Sequence, residues 1–368
     1  MQVSADAARR PPSGASRIVL RDYQKRAIEY VEDAWRRGVR RMVLVSPTGS
    51  GKGTIAAYIM AGAAAKGRRT MFAVHRWEIM REILRRVDRE VGWTDVGVIK
   101  GRHERTNLTA SVQIASVASV INLRDPPPVD IIIVDECHRA KSESYGRLFE
   151  MYPNALIVGT TATPSRTDGQ GLSDLFEELH IVAQPSELIA AGHIVNPMVY
   201  SVPESMLPDL RGVRRTGGEW DLDQLAEQMT RNELVGNTIE HWLRYSQGLS
   251  TLVLAVNVRH SELLRDRFLA AGVPAEHVDG DSPLEFRDAL LGEDGRFMRG
   301  ETLVVCSANL LIEGVDLPRA KCLVIARPTM SLTLHLQGLG RVMRPWMGIT
   351  PIVLDHAGNI RVHGLPSE

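Results

Sequence analysis

The sequence predicts an α/β chain of two tandem units, each a parallel sheet covered by helices. Two observations carry that prediction. Short apolar runs alternate with amphipathic stretches, first from Met42 to Thr163 and again from Thr251 to Leu354. The polar and glycine-rich clusters fall at the carboxyl ends of those runs, where open parallel sheets bind ligands.

The elements follow in order. Residues 1–16 are polar with Ala, Arg and Pro and lack an apolar signal core, so they are expected to be a disordered leader. Residues 17–181 form the first unit. Ala27, Ile28, Val31, Ala34 and Trp35 recur at helical spacing, and Gly38 closes that helix. Met42–Val45, Thr70–Val74, Ser111–Ala115, Val129–Val134 and Ala155–Val158 read as buried strands. Between residues 182 and 245 the pattern loosens around Pro197 and Pro203, and the region reads as a linker plus an opening helix, Leu222 to Tyr245. The second unit spans 246–368, with strands at Thr251–Val256, Ala275–Val278, Thr302–Cys306, Cys322–Ala326 and Pro351–Leu354.

Lys and Arg together number 44, as do Asp and Glu, so no global charge announces a polyanionic partner; a local basic groove remains compatible. Cys137, Cys306 and Cys322 are far apart and odd in number, which argues against a metal site or a disulfide framework. No apolar run approaches the ~20 residues needed to cross a bilayer, so a cytoplasmic protein without a membrane partner is expected.

Pro47-Thr48-Gly49-Ser50-Gly51-Lys52-Gly53-Thr54 lies between an apolar strand and a helix. That order makes a phosphate cradle: backbone N–H groups and the helix dipole face the anion, and the lysine reaches the outer phosphates. A chance glycine turn before a lysine would not require strand, turn, Lys and helix in sequence. One position departs from the pattern. A Ser or Thr is wanted directly after the lysine to bind Mg²⁺, and Gly53 stands there. Thr54 is rotated by about 100° around the helix and does not replace it. Water in the metal site, a shifted loop and slow turnover all remain open.

Asp135-Glu136 ends a buried strand about 80 residues later. Asp135 suits Mg²⁺ and Glu136 suits positioning or deprotonating a water. In the second unit, Gln337, Arg341 and Arg344 fall at i, i+4 and i+7, on one helix face. Arginines on an otherwise uncharged, packed helix suit the charge that builds on a transferring phosphoryl group.

These blocks resemble superfamily 2 helicases. Asp135-Glu136-Cys137-His138, Thr161-Ala162-Thr163, Glu313-Gly314-Val315-Asp316-Leu317-Pro318 and Gln337 to Arg344 occur in the family's order, after Leu20-Arg21-Asp22-Tyr23-Gln24 and the phosphate loop. The match is nearest to the DEAD/DEAH-box type helicases of bacteria and phages related to restriction-type translocases, over about Leu20 to His363. The resemblance implies two tandem RecA-like domains with the nucleotide in the cleft between them. It implies that Gln24 and Arg21 read adenine, that Pro47 to Thr54 cradle the phosphates, and that Lys52, Asp135 and Glu136 act on them with Mg²⁺. Gly314 and Asp316 would approach the nucleotide from the second domain, with Gln337, Arg341 and Arg344 contacting the γ-phosphate. His138, Thr161 and Thr163 would couple hydrolysis to domain motion. Nucleic acid would meet His75, Arg76, Ser116, Asn257, Arg259 and His260.

The expected function is therefore an ATP-dependent DNA helicase or translocase, a monomeric motor within a larger complex. The alternatives are an RNA helicase and a weakly hydrolysing clamp that holds nucleic acid on ATP binding alone. A phosphate-loop kinase would leave the second unit and its Gln-Arg-Arg helix without a purpose.

Overall fold

The computed structural model describes residues 18–75, 77–91, 96–137, 143–163, 172–216, 218–308 and 316–367. The expected leader, Arg76, His138 and Gly314 lie outside the described residues. The chain forms two compact units, and the boundary falls between Gln184 and Pro185.

The first unit opens with α1 (Asp22–Arg36), which buries Tyr23, Gln24, Ala27, Val31 and Ala34 along one face. Then come β1 (Arg41–Val45), α2 (Lys52–Ala65), β2 (Thr70–Val74), α3 (Trp77–Arg86) and β3 (Val96–Ile99). They are followed by β4 (Val112–Ser116), α4 (Val117–Val120), β5 (Ile131–Asp135), α5 (Glu143–Met151), β6 (Leu156–Thr161) and β7 (Glu178–Ile181). All seven strands pair in parallel, in the order β3-β4-β2-β5-β6-β1-β7. The central strands are buried on both faces, which is why they read as unbroken apolar runs. After Arg86 the helix widens into a π-helical turn, Val87–Val91.

The second unit contains α6 (Pro185–Ala190), β8 (Met198–Ser201) and the small hairpin β9 (Arg215–Thr216) and β10 (Glu219–Trp220). Next are α7 (Leu222–Met229), α8 (Asn232–Tyr245), β11 (Thr251–Leu254), α9 (Val258–Ala270) and β12 (Ala275–His277). It closes with α10 (Leu284–Leu291), α11 (Arg296–Arg299), β13 (Val304–Ser307), β14 (Cys322–Ile325), α12 (Leu332–Val342), β15 (Ile352–Asp355) and α13 (Asn359–His363). The sheet is again parallel throughout, ordered β12-β13-β11-β14-β15-β8. Trp242 packs edge-to-face on Phe268 and, with Val253, Cys306, Cys322 and Leu354, fills its core.

Several features differ from the reading of the sequence, two of them in the second unit. The stretch taken as a linker supplies β8, which pairs with β15 as an edge strand of the second sheet. The helix expected from Leu222 to Tyr245 is two helices that break at Thr230 and Arg231, with the Asp221 carboxylate capping the first through the Gln224 N–H.

Candidate active site

The strand order brings three loops together. β5, β6 and β1 are neighbours, and their register aligns Asp135 with Thr160 and Val45 with Thr161. Adjacent strands lie about 4.8 Å apart. The residues after β1, at the end of β5 and at the end of β6 therefore converge on one edge of the sheet. The Ser46 N–H donates to the Thr161 carbonyl at 2.9 Å, extending the pairing into the phosphate loop.

Gly49 and Gly51 both take positive φ, 86° and 83°, which a side chain would strain. Gly51 also admits Gln24: an ideal Cβ there would stand 2.6 Å from Gln24 Nε2. Gln24 Oε1 accepts from the Arg21 N–H at 2.9 Å, so the amide is held across the start of α1 and beside the loop. Lys52 opens α2 and folds back, with Nζ 3.4 Å from the Ser46 carbonyl and 4.0 Å from Glu136 Oε1. Pro47, Thr48, Gly53 and Thr54 are half-buried in the same turn. The Thr54 hydroxyl accepts from Arg86 Nη1 at 2.8 Å, a partner that the sequence did not suggest.

Asp135 accepts from the Thr160 hydroxyl at 2.6 Å. Burial, and then the charge of Glu136, raise its pKa, while Lys52 and Thr160 pull it down. An ionised carboxylate in such a place is a good partner for a cation. Glu136 has φ 50°, a left-handed conformation unusual for a residue with a Cβ. Strain of this kind collects where a side chain must point in one direction. Cys137 follows, wholly buried, and its sulfur fills the space over Gly159, where an ideal Cβ would come within 2.7 Å of Sγ. Thr161 and Thr163 clasp each other: the Thr163 N–H donates to Thr161 Oγ1 at 3.2 Å, and that hydroxyl donates to the Thr163 carbonyl at 3.0 Å.

In the second unit, α12 carries Gln337 and Arg341, both buried, and Arg344 lies two residues past its end. The Gln337 amide is 1 % exposed, and neither of its polar atoms has a hydrogen-bond partner among the described residues. Arg344 pairs with Asp316, which joins two of the expected nucleotide-facing groups. Lys321 was missed by the sequence reading. It is 1 % exposed, and its ammonium donates to the Val342 carbonyl at 3.0 Å and to the Arg344 carbonyl. Those carbonyls end the helix, where hydrogen-bond partners are wanting.

Burial lowers the Lys321 pKa from 10.5 to about 8. Between those values the unfolded chain holds a proton that the folded chain has released. The stabilising contribution is thus fully present above 10.5 and is lost as pH falls through about 8. Urea unfolding at a series of pH values is expected to show wild-type stability gaining on Lys321→Met from pH 8 upward; a pH-independent difference would contradict this.

The expected nucleic-acid residues divide. His75 and Arg259 are exposed and Ser116 is half-buried. Asn257 caps α9, its side chain accepting from the His260 N–H at 2.9 Å. His260 is 1 % exposed and its Nδ1 accepts from the Val256 N–H; burial lowers its pKa to about 4, so it is a neutral core residue.

Residues 17–166 match the family model of the res subunit of type III restriction enzymes, and residues 233–345 match the helicase conserved C-terminal domain. The chain is 29 % identical over 324 residues to a 51.5 kDa protein of Lactococcus phage (isolate 7-9), covering 88 % of this chain and 67 % of that one. It is 26 % identical over 345 residues to IRC3 of Saccharomyces cerevisiae, named as an ATP-dependent helicase, covering 89 % and 49 %. A fragment of an HsdR subunit of a type I restriction enzyme from Vibrio vulnificus YJ016 superposes with a TM-score of 0.70 at 20 % identity, over 94 % of this chain and 66 % of that one. The chain therefore spans only part of the length of these relatives. With the restriction-enzyme res-subunit model over the first unit and the helicase C-terminal model over the second, in order and on two parallel-sheet domains, the chain belongs to the superfamily 2 helicases, in the branch related to restriction-enzyme-type translocases.

Proposed function

We propose that this chain is an ATP-dependent translocase or helicase that couples ATP hydrolysis to movement along DNA. The observation that carries the reading is the strand-end cluster of the first unit, where Lys52 stands 4.0 Å from Glu136 beside the half-buried Asp135. Lys52 holds the β- and γ-phosphates, the turn from Pro47 to Thr54 cradles them through the N–H groups of Thr48 to Thr54, and Gln24 with Arg21 selects adenine. Glu136 orients and deprotonates the attacking water. Asp135 fits a magnesium ion through its hard, half-buried carboxylate, whereas position 53 offers no hydroxyl. When bound, that ion would offset charge on the transferring phosphoryl group. Arg341 and Arg344 supply guanidinium charge to the same end, with Gln337 beside them, and Asp316 holds Arg344. Gly314 belongs to the same set, and His138, Thr161 and Thr163 relay the state of the nucleotide.

The restriction-subunit model over the first unit favours DNA as the track. The missing hydroxyl at Gly53 favours a second reading, a clamp that binds nucleic acid with little turnover. Steady-state ATP hydrolysis with Mg²⁺, alone and with single-stranded DNA, duplex DNA or RNA, separates the two. Strong stimulation by DNA supports the motor. Stimulation by RNA alone moves the track to RNA. ATP binding without turnover on any nucleic acid supports the clamp.

A further inference from the structure

The departure at position 53 has a counterpart on α3. An ideal Cβ on Gly53 would stand 3.2 Å from Arg86 Nε, 3.7 Å from Cδ and 3.8 Å from Cζ. The guanidinium thus lies against the place where the side chain of a Ser or Thr would begin. It is fixed there by Nη1 donating to Thr54 Oγ1 at 2.8 Å, with Nη2 3.5 Å from Glu82 Oε1. The side chain is 16 % exposed, and Arg86 is the last residue of α3 before the π-helical turn. π-turns within helices often mark functional positions.

The location is electrostatically odd for a cation. Thr54 lies in the first turn of α2, whose dipole presents partial positive charge to its surroundings. Glu82 Oε1, 3.5 Å from Nη2, counters that potential, and a triphosphate in the loop would add a second, larger anionic charge.

We propose that Arg86 is a nucleotide-binding residue of this chain: its guanidinium takes the room left by Gly53 and sets a permanent positive charge beside the bound phosphates. The inference rests on the phosphate-loop reading of the proposed function. Its consequence is that ATP binding depends less on divalent metal here than in a loop with a hydroxyl after the lysine.

The test is titration of the full chain with a fluorescent ATP analogue, in Mg²⁺ and in EDTA. It compares the wild type with Arg86→Met, Arg86→Lys and Lys52→Ala, with thermal unfolding measured in parallel. The wild type is expected to retain binding in EDTA. Arg86→Met should weaken metal-free binding by about tenfold or more, the worth of a charge-assisted contact, and weaken binding in Mg²⁺ less. Arg86→Lys should recover part of the loss. If Arg86→Met and Arg86→Lys lower the unfolding temperature but leave both affinities unchanged, Arg86 is only a tether between α3 and α2 and the inference is overturned. If the wild type does not bind the analogue, or Lys52→Ala binds it equally well, the phosphate-loop reading itself fails. Gly53→Thr adds a check: its Cβ would stand 3.2 Å from Arg86 Nε and its hydroxyl and methyl compete for the same room, so metal-free binding falls and the Mg²⁺ requirement rises.

Discussion

Glu136→Gln lowers the rate of ATP hydrolysis by about 10²–10⁴-fold, the usual contribution of a general base, and leaves nucleotide affinity nearly unchanged. The replacement is close to isosteric and keeps the backbone's need for φ 50° as it was. What it removes is the capacity to accept a proton. Lys52, 4.0 Å from Glu136 Oε1, loses a neighbouring charge and keeps its reach toward the Ser46 carbonyl at 3.4 Å. Phosphate release under saturating ATP and nucleic acid, beside a fluorescent-nucleotide Kd, checks the prediction. Hydrolysis at the wild-type rate would remove Glu136 from the chemistry and leave the water to another group.

Trp242→Ala destabilises the second unit by about 3–5 kcal/mol, the range for truncating a buried large aromatic. Trp242 is 1 % exposed and sits 5.4 Å from Phe268, ring centre to ring centre. Its indole N–H donates to Thr251 Oγ1 at 2.7 Å, which ties α8 to the first residue of β11. Truncation opens a cavity between helix and sheet and removes that donor. Trp242→Phe keeps most of the ring contact and loses only the hydrogen bond, so it should cost about 1 kcal/mol. Denaturant unfolding of both variants gives the comparison, and equal losses for Ala and Phe would show that packing does not dominate.

The sequence carried the fold where burial is complete. β1, β2, β5 and β6 are sheltered on both faces, so apolar runs announce them. It missed β7 and β8, which lie at sheet edges, with one neighbouring strand each and outward residues such as Leu179 and Met198 exposed. β3 is a four-residue strand interrupted by Gly97, whose missing Cβ makes room for Gln113 and the Asn107 carbonyl. The break in the predicted helix at Thr230 and Arg231 has no Gly or Pro to mark it.

The site divided in the same way. Lys52, Asp135 and Glu136 stood out as candidates because phosphate chemistry calls for those residue types at strand ends, and the structure brings Lys52 within 4.0 Å of Glu136. Thr160, Lys321 and Arg86 did not stand out, because each meets a partner 25, 21 or 32 residues away in the chain. His260 misled because Asn257-Val258-Arg259-His260 after a strand looks like an exposed loop, whereas the asparagine caps a helix that turns the imidazole inward.

The three cysteines give the protein a built-in probe of its own motions. Cys137 is sealed behind the Glu136 turn against Gly159 in the first unit; Cys306 and Cys322 lie in the core of the second. Burial pushes all three thiols up, Cys322 to about 12, so the folded chain presents almost no thiolate to an alkylating reagent. Labelling then proceeds only through transient local opening, and its rate measures how often each region opens. Peptide mapping after a timed pulse distinguishes the sites without any introduced residue. Run with and without nucleotide, the same experiment would time the opening of the Glu136 turn separately from breathing of the second sheet.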